Sequence, residues 1–226
     1  MARMTDTIDR EAKRALFDGF ARVGKAVSSG RRVEILDILA NGERTVEGLA
    51  DQLGLSVANT SQHLQVLKQA GLLATQRAGT FVRYRLASPE VFEFLRALRS
   101  LASDRLADIE RLAGAYLGDT DRAPSITRAE LARKLERAED VLVVDVRPAE
   151  EYASGHLPGA VSAPLKDIAR YIKTLPKDRE IVVYCRGPYC AYSHVAVELL
   201  RKRGFQARRL EEGLPEWEAE ALPVER

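Results

Sequence analysis

The chain has 226 residues, of which 46% are hydrophobic and 30% are charged, and its formal net charge is +2 at pH 7. This composition is ordinary for a globular protein and excludes long disordered or fibrous segments. No apolar run approaches the roughly 20 residues of a membrane helix, and residues 1–14 lack the apolar stretch of an export signal. We therefore expect a cytoplasmic protein of one large domain or two small ones, with no membrane partner.

Four helices are predicted before residue 71. Apolar residues recur at helical spacing over about 11–27 and 33–39. Thr45 and Ser56 are suited to N-cap two shorter helices, each of which ends at a glycine. The chain therefore begins with a helical segment that contains a pair of short helices.

A hairpin and a long helix are predicted next. Two β-rich runs flank Ala78-Gly79, which is typical of a hairpin. A further apolar stripe predicts one long helix at about 89–117. Because this stripe exceeds what so small a domain can cover, we expect a partner helix from a second copy of the chain.

An acid-free basic segment lies inside this half. Residues 52–89 contain no Asp or Glu, although Lys68, Arg77, Arg83 and Arg85 are all present. Such a segment in a chain of mixed charge indicates a surface that meets a polyanion.

The two short helices, joined by a tight turn at Gly54-Leu55, form a helix-turn-helix pattern. In the second helix, Val57, Leu64 and Leu67 are expected to face inward. Asn and Gln side chains can pair with adenine, Ser and Thr can donate or accept, and hairpin arginines suit phosphate or minor-groove contacts. We expect DNA contacts from the following residues: Ser56, Asn59, Thr60, Ser61, Gln62, His63, Lys68, Arg77, Arg83 and Arg85.

The run LSVANTSQHLQVLKQAGLL, followed by QRAGTFVRYRL, resembles the winged helix of the ArsR-type family of bacterial regulators over about residues 11–117. The resemblance implies a mainly-α winged helix-turn-helix domain, a homodimer formed through the first and last helices, and a palindromic double-stranded DNA operator. His63 is either a base-contacting residue or a packed or capping histidine. Residues 1–118 contain no cysteine, so the thiolate pair of the metal-sensing members is missing and we expect no metal site.

The second half has a different pattern. A polar segment at 118–124 is predicted to be a linker between domains at 1–117 and 125–226. Beyond it, helices alternate with short buried strands, which is typical of an α/β domain with a parallel central sheet. The predicted strands are 141–146, 181–185 and 205–210, and the predicted helices are 131–138 and 195–204.

The two cysteines of the chain, Cys185 and Cys190, are too few for a disulfide framework and indicate redox, metal or nucleophilic chemistry. Cys185 ends a buried strand, and Ser193 is predicted to begin the next helix. A thiol at such a helix N-terminus is favoured as the thiolate, and the adjacent Arg186 would add to this. The same surroundings would hold an anionic persulfide.

Asp145-x-Arg147, the run from Glu151-Tyr152 to Ala160, Cys185, and the late Gly213 to Trp217 together resemble the rhodanese family of sulfurtransferases over about residues 124–226. The resemblance implies that Cys185 is the nucleophile that carries sulfur and that loop amides bind the terminal sulfur. It also implies that Asp145 and Arg147 support the loop. We assign Ser193 to the same supporting role. We assign Arg186 and Cys190, together with Cys185, to the catalytic group.

The loop after Cys185 departs from the family because it looks about two residues longer. The sixth position after Cys185 is Ala191 rather than the Arg of related phosphatases and arsenate reductases, which disfavours those reactions. Cys190 is either a resolving thiol that closes a disulfide or a sulfur bridge, or a small residue that packs under the loop.

Two functions from different classes follow. One is a transcriptional regulator whose rhodanese half senses or transfers sulfane sulfur from a donor such as thiosulfate or polysulfide. The other is a thiosulfate or polysulfide sulfurtransferase in which the DNA-binding half is accessory. A rhodanese fold that is chemically inert is disfavoured because Cys185 is retained. No cofactor is expected for either function.

Overall fold

The computed structural model describes residues 2–118 and 123–226, and for residues 2–9 and 78 it describes only the backbone. The predicted linker at 118–124 therefore lies mostly outside the described residues. The chain divides into two compact units, Met1–Arg96 and Ala97–Arg226.

The first unit consists of helices and a small antiparallel sheet. The helices are α1 (Ala2–Ala26), α2 (Gly30–Ala40), α3 (Val46–Leu53), α4 (Val57–Gln69) and the first half of α5 (Pro89–Arg105). The strands are β1 (Arg44–Thr45), β2 (Leu73–Ala78) and β3 (Phe81–Leu86), in the spatial order β1-β3-β2. The predicted hairpin is confirmed, with Ala78 paired to Phe81 at its tip.

Local capping fixes the helix-turn-helix pair as the sequence predicts. The Thr45 hydroxyl accepts a hydrogen bond from the Gly48 amide at 3.2 Å, and the Ser56 hydroxyl accepts one from the Asn59 amide at 3.2 Å. Gly54 ends α3 in the left-handed conformation with φ of 63°, which costs glycine little. These caps set the turn that separates α3 from α4.

The core of the first unit explains the register of α4. Leu64 and Leu67 are completely buried there, as predicted. Val57 is 46% exposed, so its predicted inward orientation is wrong. It is the first residue of α4, where the apolar face of the helix extends past the edge of the core. Val91, Phe92 and Leu95 from α5 complete the same core.

The single helix predicted at 89–117 is also wrong, because the structure breaks it into α5 and α6 (Ile109–Leu117). Residues 106–108 form a turn in which the Ile109 amide donates to the Leu106 carbonyl at 3.1 Å. The apolar spacing is similar on both sides of this turn, and no Pro or Gly marks it. Periodicity alone could not locate the break.

The second unit is an α/β layer structure. Its strands are β4 (Ser125–Ile126), β5 (Val141–Asp145), β6 (Val161–Ser162), β7 (Glu180–Tyr184) and β8 (Ala207–Leu210). After α6, its helices are α7 (Arg128–Glu136), α8 (Ala149–Ser154), α9 (Ile168–Tyr171), α10 (Ala191–Lys202) and α11 (Leu214–Ala219), with a 3-10 turn at Leu165–Asp167. All strands pair in parallel in the order β4-β8-β7-β5-β6, which confirms the predicted parallel sheet.

Strand β7 lies in the centre of this sheet and contributes to a core on each face. Ile181 and Val183 pack into one cluster together with Cys185, whereas Val182 and Tyr184 pack into the other. This alternation follows from the two-residue period of a strand. It places Cys185 at the carboxyl end of the central strand and Tyr184 on the opposite face. Within the described residues, no helix combines the length and the apolarity needed to cross a bilayer.

Candidate functional site

The first candidate site is the surface formed by α4 and the hairpin. Nine of the ten residues predicted to contact DNA have exposed or half-buried side chains, and the exception is Thr60. Thr60 is completely buried, and its hydroxyl donates to the Ser56 carbonyl at 3.0 Å. The predicted DNA contact of Thr60 is therefore wrong. Its position four residues before Leu64 places it on the inner face of the helix.

The two arginines of β3 share one side of that strand. Arg83 and Arg85 are two residues apart and exposed, while Tyr84 between them is 8% exposed. Arg83 lies 3.5 Å from the Glu43 carboxylate, and the Arg85 guanidinium donates to the Leu86 carbonyl at 3.3 Å. The charge of Arg83 is therefore partly compensated before any DNA binds.

The second candidate site is the segment 185–190, which we call the cysteine loop. Cys185 is 1% exposed and Cys190 is half-buried. The two residues form a disulfide, with their Cα atoms 6.2 Å apart. The Cys190 amide donates to the Gly187 carbonyl at 3.1 Å, which tightens the loop. The two thiols singled out in the sequence are thus brought together at the end of β7.

The helix after this loop begins earlier than predicted. Helix α10 starts at Ala191, with Cys190 as its N-cap, so the prediction that Ser193 begins it is wrong. Ser193 is buried, and its hydroxyl donates to the Cys190 carbonyl at 3.2 Å, which supports the loop from inside the first turn. Cys190 itself therefore occupies the N-terminus of this helix.

Arg186 has a partner that sequence reasoning missed. Its guanidinium binds both carboxylate oxygens of Glu151, at 2.6 to 3.0 Å, and Glu151 is 1% exposed. The guanidinium also lies 5.7 Å from the centroid of the Tyr192 ring. The positive charge predicted to favour the Cys185 thiolate is therefore neutralised by Glu151. Arg186 anchors the loop to α8, on which Glu151 lies.

A buried ionic network lies under the loop. Asp145 and Arg147 are both completely buried and form an ion pair at 2.6 Å. The Tyr184 hydroxyl donates to Asp145 at 2.5 Å, and Arg147 donates to the Gly155 carbonyl at 2.7 Å. Burial, together with the Asp145 carboxylate, raises the pKa of Tyr184 well above its usual range. The network connects β5, β7 and the chain after α8.

The cysteine loop packs against the backbone segment before α11. Sequence reasoning did not connect this segment with the cysteines. A Cβ at Gly213 would lie 2.5 Å from the Gly187 amide nitrogen, so only glycine permits this close approach. The Glu216 carboxylate accepts a hydrogen bond from the Gly213 amide at 3.0 Å. Glu216 is only 5% exposed. Glycine at 213 was noted in the sequence, but nothing in its local pattern showed what it touches.

His156 contacts a tyrosine of α8. The His156 ring stacks on Tyr152 with the ring centroids 3.8 Å apart, and its Nδ1 lies 3.0 Å from the Tyr152 carbonyl. Within the part of the chain that the structure describes, no group of three or more His, Cys, Asp or Glu side chains is placed to hold a metal ion.

Two family models match the chain. Residues 29–75 match the bacterial regulatory protein, arsR family model, and residues 127–220 match the rhodanese-like domain model. The first match covers α2 to α4, and the second covers most of the unit that contains the cysteine loop.

Individual relatives agree with both matches. The chain is 44% identical to the HTH-type transcriptional regulator Rv0324 of Mycobacterium tuberculosis, over 98% of this chain and 96% of that protein. It is 35% identical to a sulfurtransferase of Allochromatium vinosum, over 44% of this chain and 92% of that one. The chain is also similar to a solution structure from Mycobacterium bovis, which is the homodimeric winged helix-turn-helix DNA-binding domain of a possible ArsR-family regulator. The sequence identity is 44% and the TM-score is 0.40, over 42% of this chain and 87% of that chain.

Proposed function

This chain belongs to the ArsR-type family of HTH transcriptional regulators and carries a C-terminal rhodanese-like domain, and on that premise we propose that sulfur chemistry at Cys185 controls its binding to operator DNA in the cytoplasm. The observation that carries the proposal is the disulfide between Cys185 and Cys190 at the end of the central strand. It gives the cysteine loop two covalent states, which a sensor needs.

DNA binding is assigned to α4 and the hairpin. The exposed Asn59 and Gln62 in the first half of α4 present amide groups suited to base edges in the major groove. The exposed Arg77 and Arg85 of the hairpin supply phosphate contacts. The whole surface lies in the segment that contains no acidic residue, so its field attracts DNA.

Opening of the disulfide is the first chemical step. A thiol RSH attacks the sulfur of Cys190, which is the more exposed of the two, and Cys185 leaves as a thiolate while a proton is released. A second thiol RSH then attacks the RS sulfur of this mixed disulfide, so that RSSR forms and Cys190 leaves as a thiolate while a second proton is released. In total, two electrons reach the protein. Cys185 is now free to react.

Sulfur transfer is the second step. The Cys185 thiolate attacks the outer sulfur of thiosulfate, the S–S bond of thiosulfate breaks, and sulfite leaves, so that Cys185 becomes a persulfide. The Cys190 thiolate then attacks the inner sulfur of this persulfide, and hydrosulfide leaves after taking a proton, which restores the disulfide. A polysulfide donor would follow the same course with a shorter polysulfide as the leaving group.

A homodimer is the proposed functional form, and each unit offers exposed apolar side chains for it. On α1, Phe17 is 59% exposed and Phe20 is 63% exposed. At the end of α5 and on α6, Leu101 is 60% exposed and Tyr116 is 67% exposed. Burial of such residues against a second copy would remove apolar surface from water. Light scattering at micromolar concentration should give the mass of two chains, and a monomer would exclude this assignment.

The decisive experiment uses full-length protein and a palindromic duplex selected by the wild type from random-sequence DNA. Intact-mass measurement of the reduced proteins after polysulfide treatment should show added sulfur on Cys190→Ser, a return of wild type to its disulfide mass, and neither change on Cys185→Ser. A mobility assay beside it should show that Cys185→Ser binds this duplex with an affinity that polysulfide does not change. If Cys185→Ser takes up sulfur at the wild-type rate, or if its DNA binding stays fully responsive, the proposal is wrong.

The second candidate function is a sulfurtransferase that also binds DNA. It is favoured by the rhodanese match and by the likeness to the sulfurtransferase of Allochromatium vinosum. Sustained release of sulfite from thiosulfate in the presence of an acceptor thiol would support catalysis. A single stoichiometric burst of sulfite would instead favour the sensor.

A further inference from the structure

Helix α5 touches the cysteine loop with its second half. The Ser103 hydroxyl lies 3.2 Å from the Tyr189 hydroxyl, and Tyr189 is the residue directly before Cys190. One turn earlier, the Arg99 guanidinium lies 3.5 Å from the Glu216 carboxylate. Residues four apart share one face of a helix, so both contacts come from a single side of α5. All four residues belong to the second unit.

The Arg99 contact is linked to the cysteine loop through Gly213 and Glu216. The Arg99 side chain is 17% exposed and that of Glu216 is 6% exposed, so water screens this pair less than a surface pair. The same carboxylate accepts from the Gly213 amide, and a Cβ at Gly187 would lie 3.7 Å from each of its oxygens. Gly187 of the cysteine loop therefore lies next to the carboxylate that Arg99 contacts.

The first half of the same helix belongs to the core that holds α4. Val91, Phe92 and Leu95 of α5 are buried in the cluster that contains Leu64 and Leu67 of α4. The helix is continuous from Pro89 to Arg105. A packed core has few alternative arrangements, and a shift of one helix changes the placement of its neighbours.

Building on the proposed function, we propose that the contacts of Arg99 and Ser103 change with the covalent state of the cysteine loop. Their change shifts α5, and this shift alters the position of the DNA-binding helix α4. When a thiol reduces the disulfide, by the two-electron exchange written above, Cys190 is no longer tied to Cys185. Tyr189 then moves with Cys190 and loses Ser103, while the shift at Gly187 weakens the Arg99 contact. The signal runs through the body of a helix, and the predicted linker at 118–124 is not needed for it.

The test compares the affinity of full-length protein for the selected duplex in the disulfide state and after reduction with dithiothreitol. Wild type should show a ratio between the two dissociation constants in the range of about 5- to 150-fold. The double variant Arg99→Gln/Ser103→Ala should bring this ratio to within about twofold of one. Intact-mass measurement should show that the variant still forms and opens its disulfide to the wild-type extent.

Two further variants keep the outcome decisive. The matched control Ser100→Ala/Arg105→Gln changes the same residue types at exposed positions of the same helix and should keep the wild-type ratio. Tyr189→Phe removes the Ser103 contact from the loop side and should lower the ratio even if the double variant fails to fold. If either disrupted variant folds and keeps the wild-type ratio, the inference is wrong while the proposed function stands. A wild-type ratio of one would overturn both.

Discussion

Gly213→Ala tests whether the cysteine loop rests on the backbone before α11. A Cβ at position 213 would lie 2.5 Å from the Gly187 amide nitrogen and closer still to the carbonyl group of Arg186. Contacts below 3.0 Å are essentially never made by a real Cβ atom, and here the obstructing atoms are backbone. Forcing such an overlap should cost about 3 kcal/mol, at the upper end of the range for overpacking.

A smaller effect acts in the opposite direction. Gly213 has φ of −117°, which alanine adopts freely, so the substitution also lowers the entropy of the unfolded chain. This stabilises by about 0.4–1 kcal/mol. The net expectation is a loss of about 2 kcal/mol in the free energy of unfolding. With a urea m-value of about 2 kcal/mol per M, the midpoint should fall by about 1 M.

The measurement is urea unfolding followed by tryptophan fluorescence. Trp217 is the only tryptophan in the sequence and is 2% exposed, so its signal reports the unfolding of its own unit. Gly187→Ala is the matched control, because its Cβ would make only ordinary contacts at 3.7 Å with Glu216. The control should unfold within about 0.5 M of wild type. Equal midpoints for wild type and Gly213→Ala, or an equal loss in the control, would refute the close approach as the reason for glycine.

Three further outcomes are expected. Asp145→Asn should cost about 3–5 kcal/mol of stability because it leaves Arg147 buried without its counter-charge. The control Asp140→Asn, at a side chain that is 74% exposed, should cost less than about 1 kcal/mol. Equal losses of stability in urea titrations would refute the distinction between the buried and the exposed aspartate. The pKa of Tyr184 is raised in the folded state, so the folded protein binds this proton more tightly than the unfolded chain does, and stability should fall as the pH rises above about 10. Tyr184→Phe should flatten that decline. An unchanged slope of stability against pH would remove Tyr184 as its cause. Arg85→Ala should weaken binding to selected and random duplexes alike and lower the salt slope by about one unit, and an unchanged slope would place the hairpin away from DNA.

Features set by neighbouring residues were predictable from the sequence. The N-caps Thr45 and Ser56 were found because a hydroxyl before an apolar helical pattern satisfies the free amides of the first turn. The central strand was found because parallel strands that are buried on both faces are continuous apolar runs. Cys185 was placed correctly at its end for the same reason.

Features set by distant contacts were not predictable. The burial of Thr60 depends on how deeply α4 sits in its core, and a short polar side chain fits either face of a helix. The partner of Arg186 is Glu151, 35 positions away, and only the assembled sheet brings them together. The contacts of Ser103 and Gly213 with the loop likewise join segments that no local pattern connects.

The disulfide of the cysteine loop joins residues only five positions apart. A crosslink restrains the unfolded chain according to the length of the loop it closes, and for about six residues this amounts to about 2 kcal/mol, compared with about 4.7 for a loop of 100. The fold of this unit therefore rests on its parallel sheet and two apolar clusters much more than on the sulfur bond. Both redox forms should stay folded and resist proteolysis, so under the proposed function the same molecules pass through many cycles of oxidation and reduction, and the cell resets the response without synthesising new protein.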